Sequence, residues 1–151
     1  MAAALARLHR FTDGGRGNAI EETIMAYVSV RYIVDDVDAA VEFYAERLGF
    51  SVAAHPAPGF AILVKGDLRL LVNAMSGPGG ASQPMPDGRK PAPGGWNRIQ
   101  LEVADIEKEV DALRKAGVTF RNDIVTGMGG RQILLEDPAG NPVELFQAPD
   151  Q

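Results

Sequence analysis

Few side chains in this 151-residue chain can do chemistry, and several familiar arrangements are excluded at once. There is no cysteine, so disulfides, thiol catalysis and zinc ribbons are out. The histidines are His9 and His55, and neither has a partner at a recognisable spacing. For His55, beside Pro56, the choice lies between a surface histidine and a general base. No Ser/His/Asp set is readable. Gly127-Met128-Gly129-Gly130 lacks the Lys-Ser/Thr ending and the following helix of a phosphate loop. What remains is a group of polar residues in strand-like runs: Ser29 and Arg31, Arg98 and Gln100, and Glu144. Arginine and glutamine suit recognition of a carboxylate or carbonyl. A carboxylate such as Glu144 suits either proton transfer or an ion pair. Phe60, Trp96 and Met128 would wall an apolar pocket, or serve as ordinary core or dimer contacts.

The elements that position these residues are legible from periodicity. Val28 to Val34 alternates with period two and is rich in β-branched residues, which predicts a half-buried strand. Asp36 stands where a helix N-cap belongs, Val41, Tyr44 and Leu48 follow at helical spacing, and Gly49 ends the helix. Strands are expected over Phe50 to Val52, Phe60 to Val64 and Leu68 to Val72, with a tight turn at Gly66-Asp67. The same order then recurs. Arg98 to Val103 alternates, Asp105 caps a helix with Ile106, Val110 and Leu113 on its apolar face, and Gly117 ends it. Strands are expected at Val118 to Phe120, Gln132 to Leu135 and Val143 to Phe146, with a turn over Asp137 to Asn141. Caps and terminal glycines repeat at a nearly constant offset of about 69 positions, which signals duplication.

Alternation also sorts the candidate residues by face. Ser29, Arg31 and Ile33 share one face of the first strand; Val30, Tyr32 and Val34 share the other. Arg98, Gln100 and Glu102 oppose Ile99, Leu101 and Val103 in the same way. The apolar faces must cover the helices, so the polar faces point to the open side.

The chain therefore divides into an N-terminal extension over 1–24, a first βαβββ module over 25–75, a Pro/Gly-rich loop over 76–95, a second βαβββ module over 96–147 and a tail over 148–151, all in one domain. The extension reads as a segment outside the fold rather than a targeting signal, since Arg7, His9 and Arg10 interrupt its apolar start. The loop reads as a linker or disordered segment, with a lid as the functional alternative. A net charge of −5 and the lack of a basic stripe argue against nucleic acid, and no apolar run is long enough to span a bilayer. A cysteine-free chain suits the cytoplasm.

The run Asp36-Val37-Asp38-Ala39-Ala40-Val41-Glu42-Phe43-Tyr44 followed by Leu48-Gly49-Phe50 resembles the first module of the vicinal oxygen chelate superfamily, which includes glyoxalases, extradiol dioxygenases and bleomycin-binding proteins. The run Glu136-Asp137-Pro138-Ala139-Gly140-Asn141-Pro142-Val143-Glu144-Leu145 resembles the end of its second module. The resemblance implies an α+β fold in which two βαβββ modules form an open, eight-stranded, cup-shaped mixed sheet, often completed as a homodimer. It implies fold far better than reaction.

The resemblance also implies divalent-metal ligands at four positions, two in first strands and two in fourth strands. Here those positions are Ser29, Arg98, Leu70 and Glu144. Only Glu144 ligates well, Leu70 cannot, and a permanently cationic Arg98 repels a divalent ion. The expectation is therefore no metal site and no cofactor, short of non-standard ligands, with an Arg98–Glu144 ion pair where the metal would be. Ser29, Arg31, Arg98, Gln100 and Glu144 become the expected contacts for a small organic ligand. The alternatives are an enzyme on the same scaffold (a lyase, isomerase or dioxygenase) with Glu144 as its weak catalytic candidate, or a structural, partner-binding domain.

Overall fold

The computed structural model describes the backbone of two N-terminal strands, β1 (Ala6–Thr12) and β2 (Ala19–Met25), and then residues 28–150. Strands β1 and β2 pair antiparallel as a two-stranded sheet of their own, in register from Ala6 opposite Met25 to Thr12 opposite Ala19. The side chain of His9 lies outside the described residues.

The first module follows from local rules. β3 (Val28–Val34) buries Tyr32 and Val34 and leaves Ser29 and Arg31 exposed, as alternation requires. Asp36 accepts a hydrogen bond of 3.0 Å from Ala39 N and so caps α1 (Val37–Glu42). The helix continues as a π-helical turn, Phe43–Arg47, which buries Phe43 and Tyr44 together. Gly49 closes it at φ 74°, a left-handed conformation that glycine adopts without strain. β4 (Ser51–Ala57), β5 (Phe60–Lys65) and β6 (Leu68–Ala74) complete the sheet in the order β3-β6-β5-β4. β4 runs on through Pro56 because it is an edge strand, and two register shifts break its pairing with β5.

The second module repeats the plan. Asp105 accepts from Lys108 N at 3.1 Å to start α2 (Ile106–Lys115), whose first turn is acidic and last turn basic, matching the helix dipole. β7 (Ile99–Glu102), β8 (Val125–Gly127), β9 (Gly130–Glu136) and β10 (Pro142–Gln147) form the order β7-β10-β9-β8. In each sheet the pair formed by the module's first and last strands, β3-β6 and β7-β10, lies at one edge and is parallel, and the remaining pairs are antiparallel. The strand expected at Val118 to Phe120 is reduced to a single bridge between Phe120 and Leu135. The chain breaks the ladder there because Asn122 uses its side-chain oxygen to accept from Leu134 N, and regular pairing resumes only at β8.

The eight module strands thus form two four-stranded mixed sheets rather than one hydrogen-bonded surface. One core joins them, with Tyr44, Leu63 and Leu70 from the first module and Ile106, Ile133 and Leu135 from the second fully buried. The Tyr32 hydroxyl stitches the sheets together: it accepts from Ile99 N at 2.9 Å and donates to Pro142 O at 2.8 Å. Tyr44 donates to Asp137 Oδ2 at 2.8 Å, and Asn141 Nδ2 donates to Ile33 O at 2.8 Å. The Asp137 to Asn141 turn is therefore a clasp between modules as well as a hairpin. No helix among the described residues is long and apolar enough to cross a membrane.

Candidate functional site

The helix-free faces of the two sheets carry the polar residues singled out above. On β10, Val143 and Leu145 enter the core, so Glu144 between them faces the other way. Its cross-strand neighbour on β7 is Gln100. Arg98 Nε donates to Glu144 Oε2 at 2.9 Å, and Gln100 Nε2 donates to Oε1 at 2.7 Å. Arg98 also donates to Trp96 O at 3.3 Å. Glu144 is only 6% exposed, yet both carboxylate oxygens have a partner, which is what a buried carboxylate needs.

The first module has a different centre. Arg31 on β3 donates from Nη1 to Asn73 Oδ1 at 2.6 Å, and Asn73 on β6 is 4% exposed. The residue across from Arg31, in the place of Glu144, is Leu71. This corrects the expected assignment of Leu70, whose side chain is fully buried in the core between sheet and helix. The turn glycine lies one residue farther from the open-face position in this module, and a one-residue slip reverses the face.

Two cavities meet at Arg31. One, of about 370 Å³, lies at the seam of β3 and β7 and is lined by both Arg31 and Arg98, with Tyr32 and Asn141. The other, of about 630 Å³, lies over the first sheet between Arg31, Asn73, Phe60 and the start of the Pro/Gly-rich loop. That loop does more than link the modules. Ser82 Oγ donates to Ala74 O at 2.6 Å and Gln83 Nε2 donates to Gly77 O at 2.8 Å, folding its first part against the sheet. Its far end is tied to the second module by Gly94 N to Asn141 Oδ1 at 2.8 Å and Arg121 Nη1 to Gly95 O at 2.8 Å.

Residues 26–145 match the sequence profile of the Glyoxalase/Bleomycin resistance protein/Dioxygenase superfamily. The chain belongs to this superfamily. It is 31% identical over 131 residues to the uncharacterized protein YurT of Bacillus subtilis (strain 168), covering 82% of this chain and 99% of YurT. It is 25% identical over 120 residues to a bleomycin resistance protein of Geobacillus stearothermophilus, covering 76% of this chain and 90% of that protein. Among solved structures it resembles TnmS3, an antibiotic binding protein from Streptomyces sp. CB03234, with a TM-score of 0.63, 24% identity and coverage of 83% and 98%.

The divalent metal implied for enzymes of the superfamily does not fit the residues at hand. Ser29 is a poor ligand, Leu71 is none, and Arg98 is a cation that already occupies one oxygen of Glu144. Among the described residues no three of His, Cys, Asp and Glu gather into a cluster.

The remaining sequence candidates are scattered. Ser29 lies exposed near the start of β3, opposite Arg69. Phe60 lines the larger cavity. Trp96 is 74% exposed with the Arg121 guanidinium 5.3 Å from its ring, and Met128 is fully exposed at the turn between β8 and β9. The expected wall of Phe60, Trp96 and Met128 is therefore not assembled within the chain, since turn geometry places Met128 outward. His55 Nε2 sits 3.5 Å from Asp38 Oδ1, an exposed carboxylate, which suits a surface histidine. Burial raises the Tyr32 hydroxyl pKa above its ordinary value, in spite of the Ile99 N–H, and raises that of Tyr44 further, with Asp137 adding to the effect. Both stay protonated donors with structural duties.

Sequence reasoning missed Asn73 and the clasp residues Asp137 and Asn141. The available signal for Asn73 was a lone amide in the apolar run Leu70-Leu71-Val72-Asn73-Ala74.

Proposed function

We propose that this protein binds a small organic molecule on the open face of its sheets, around Arg31, Arg98 and Gln100, without a divalent metal. The observation that carries the reading is the saturation of Glu144: Arg98 and Gln100 take both of its oxygens where the superfamily's enzymes would need a free ligand. The likeness to a bleomycin resistance protein supports binding over turnover. We read the working form as a cytoplasmic homodimer, supported by exposed Val125 and Met128 on the β8–β9 hairpin.

Two measurements test this. Elemental analysis of purified protein should find no stoichiometric divalent metal. A thermal-shift screen of organic compounds should give ligands whose effect is unchanged by EDTA. Stoichiometric metal, with ligand binding lost on chelation, would overturn the reading. Light scattering should report twice the chain mass; a monomer would remove the dimer from it.

A further inference from the structure

Both open-face arginines suit an anionic ligand in principle, but their surroundings differ. Arg98 is neutralised by Glu144 and spends a second donor on Trp96 O. Arg31 has as its partner a neutral amide and makes no ion pair among the described residues. A guanidinium has five N–H donors, and the bond to Asn73 Oδ1 uses one. Asn73, although 4% exposed, donates from Nδ2 to no protein acceptor among the described residues. The Nδ2 group is not sealed from solvent, so it opens to the cavity, where a ligand can supply an acceptor in place of water.

Both groups line the same cavity of about 630 Å³. That size falls within the range of small-molecule sites. Pro58 and Phe60 line it from the β4–β5 hairpin, and Pro78 with its flanking glycines lines it from the loop. Phe60 is the cross-strand neighbour of Asn73, so its ring borders the amide. The loop comes close over the same point: a side chain at Gly79 would begin 3.6 Å from Asn73 Nδ2, and glycine there keeps the amide open to the cavity. Apolar walls with a positive charge and a spare amide donor at one end describe a binding site with a polarity.

We infer that the Arg31–Asn73 corner of the first module anchors the carboxylate of a ligand whose flat apolar body lies between Phe60 and the Pro78 loop. The inference rests on the proposed metal-independent binding and adds the ligand's class and its orientation. Arg31 supplies charge and paired N–H donors to the carboxylate, and Asn73 holds the guanidinium in place while offering Nδ2 to an oxygen.

Calorimetric titration of the full chain in EDTA tests this, with 2-naphthoate as probe and 2-naphthamide as its uncharged counterpart. The carboxylate should bind about tenfold more tightly than the amide, the scale of one charge-assisted hydrogen bond. Arg31→Gln should abolish that preference. Arg114→Gln, which removes the same charge from an exposed site on α2, should keep it. Asn73→Asp, nearly isosteric, should place a competing carboxylate on Arg31 and weaken the naphthoate by a similar factor. Equal affinity for the two probes, no binding of either, or undiminished naphthoate binding in both site variants would overturn the inference. Equal metal-free binding of the two probes defeats only the carboxylate assignment. Binding that appears only when a divalent metal is supplied defeats the metal-independent reading beneath it.

Discussion

In the second module Arg98 lies against Glu144, Gln100 takes the other carboxylate oxygen, and the open face is electrically closed. In the first, Arg31 lies against the neutral Asn73, Leu71 stands where Glu144 would be, and a cavity opens beside them. The backbones follow one plan, with the same strand order and the same capped helix. Duplication therefore preserves the scaffold while each copy sets its own charge balance. A buried cation–anion pair consumes its own binding capacity, whereas a cation held by an amide keeps it.

The largest difference expected on mutation lies in the hairpin turns. Gly130 has φ 137°, and a Cβ there would run into Gln147 O and the Phe146 ring 2.8 Å away. Gly59, at the corresponding turn, would place a Cβ an ordinary 3.6 Å from Ala74 Cβ. Gly130→Ala should cost about 3 kcal/mol in urea unfolding and Gly59→Ala less than about 1. Equal costs would mean that the second hairpin relaxes as freely as the first.

Next comes the ion pair. Arg98→Leu strands a buried carboxylate and should cost about 2 kcal/mol, while Arg98→Leu with Glu144→Leu, which copies the apolar character of Leu71, should recover most of it. A double variant as unstable as the single one would show that the pair holds the sheet together in a way the first module does not need.

The helices differ in one hydroxyl. Tyr44 reaches Asp137, whereas the matching position on α2 is the apolar Leu113. Tyr44→Phe should cost about 1.5 kcal/mol by removing one donor from a buried carboxylate that keeps others. Because the folded-state pKa of Tyr44 lies above its unfolded value, its contribution is complete below about pH 10 and falls as pH rises beyond that. Chemical denaturation of wild type should show this alkaline decline, and Tyr44→Phe should lessen it; parallel curves would assign the decline to other groups. The smallest effect belongs to Trp96, whose exposed stack on Arg121 should contribute no more than about 0.5 kcal/mol, read as the loss in Trp96→Ala.

Much of the fold was legible because its signals are local. Asp36 and Asp105 cap helices through bonds to residues three positions on, and Gly49 and Gly117 have the positive φ that helix ends favour. The Arg98–Glu144 pair was legible too, because alternation puts Arg98 on the open face and the family resemblance implies that Glu144 lies beside it. Leu70 was misplaced for Leu71 because counting from a turn glycine assumes equal turns. The strand expected at Val118 to Phe120 failed because a side-chain oxygen, Asn122, took over a backbone role.

The sequence by itself determined two βαβββ modules, the faces of their strands and the poverty of metal ligands, all of which depend on residue type and short-range spacing. Only the tertiary structure decided that Asn73 meets Arg31, that Tyr44 and Asn141 clasp the modules, and that the Pro/Gly-rich loop walls a cavity. Those contacts join residues up to 108 positions apart in the chain, and no local pattern encodes which side chains a folded surface will bring within hydrogen-bonding distance.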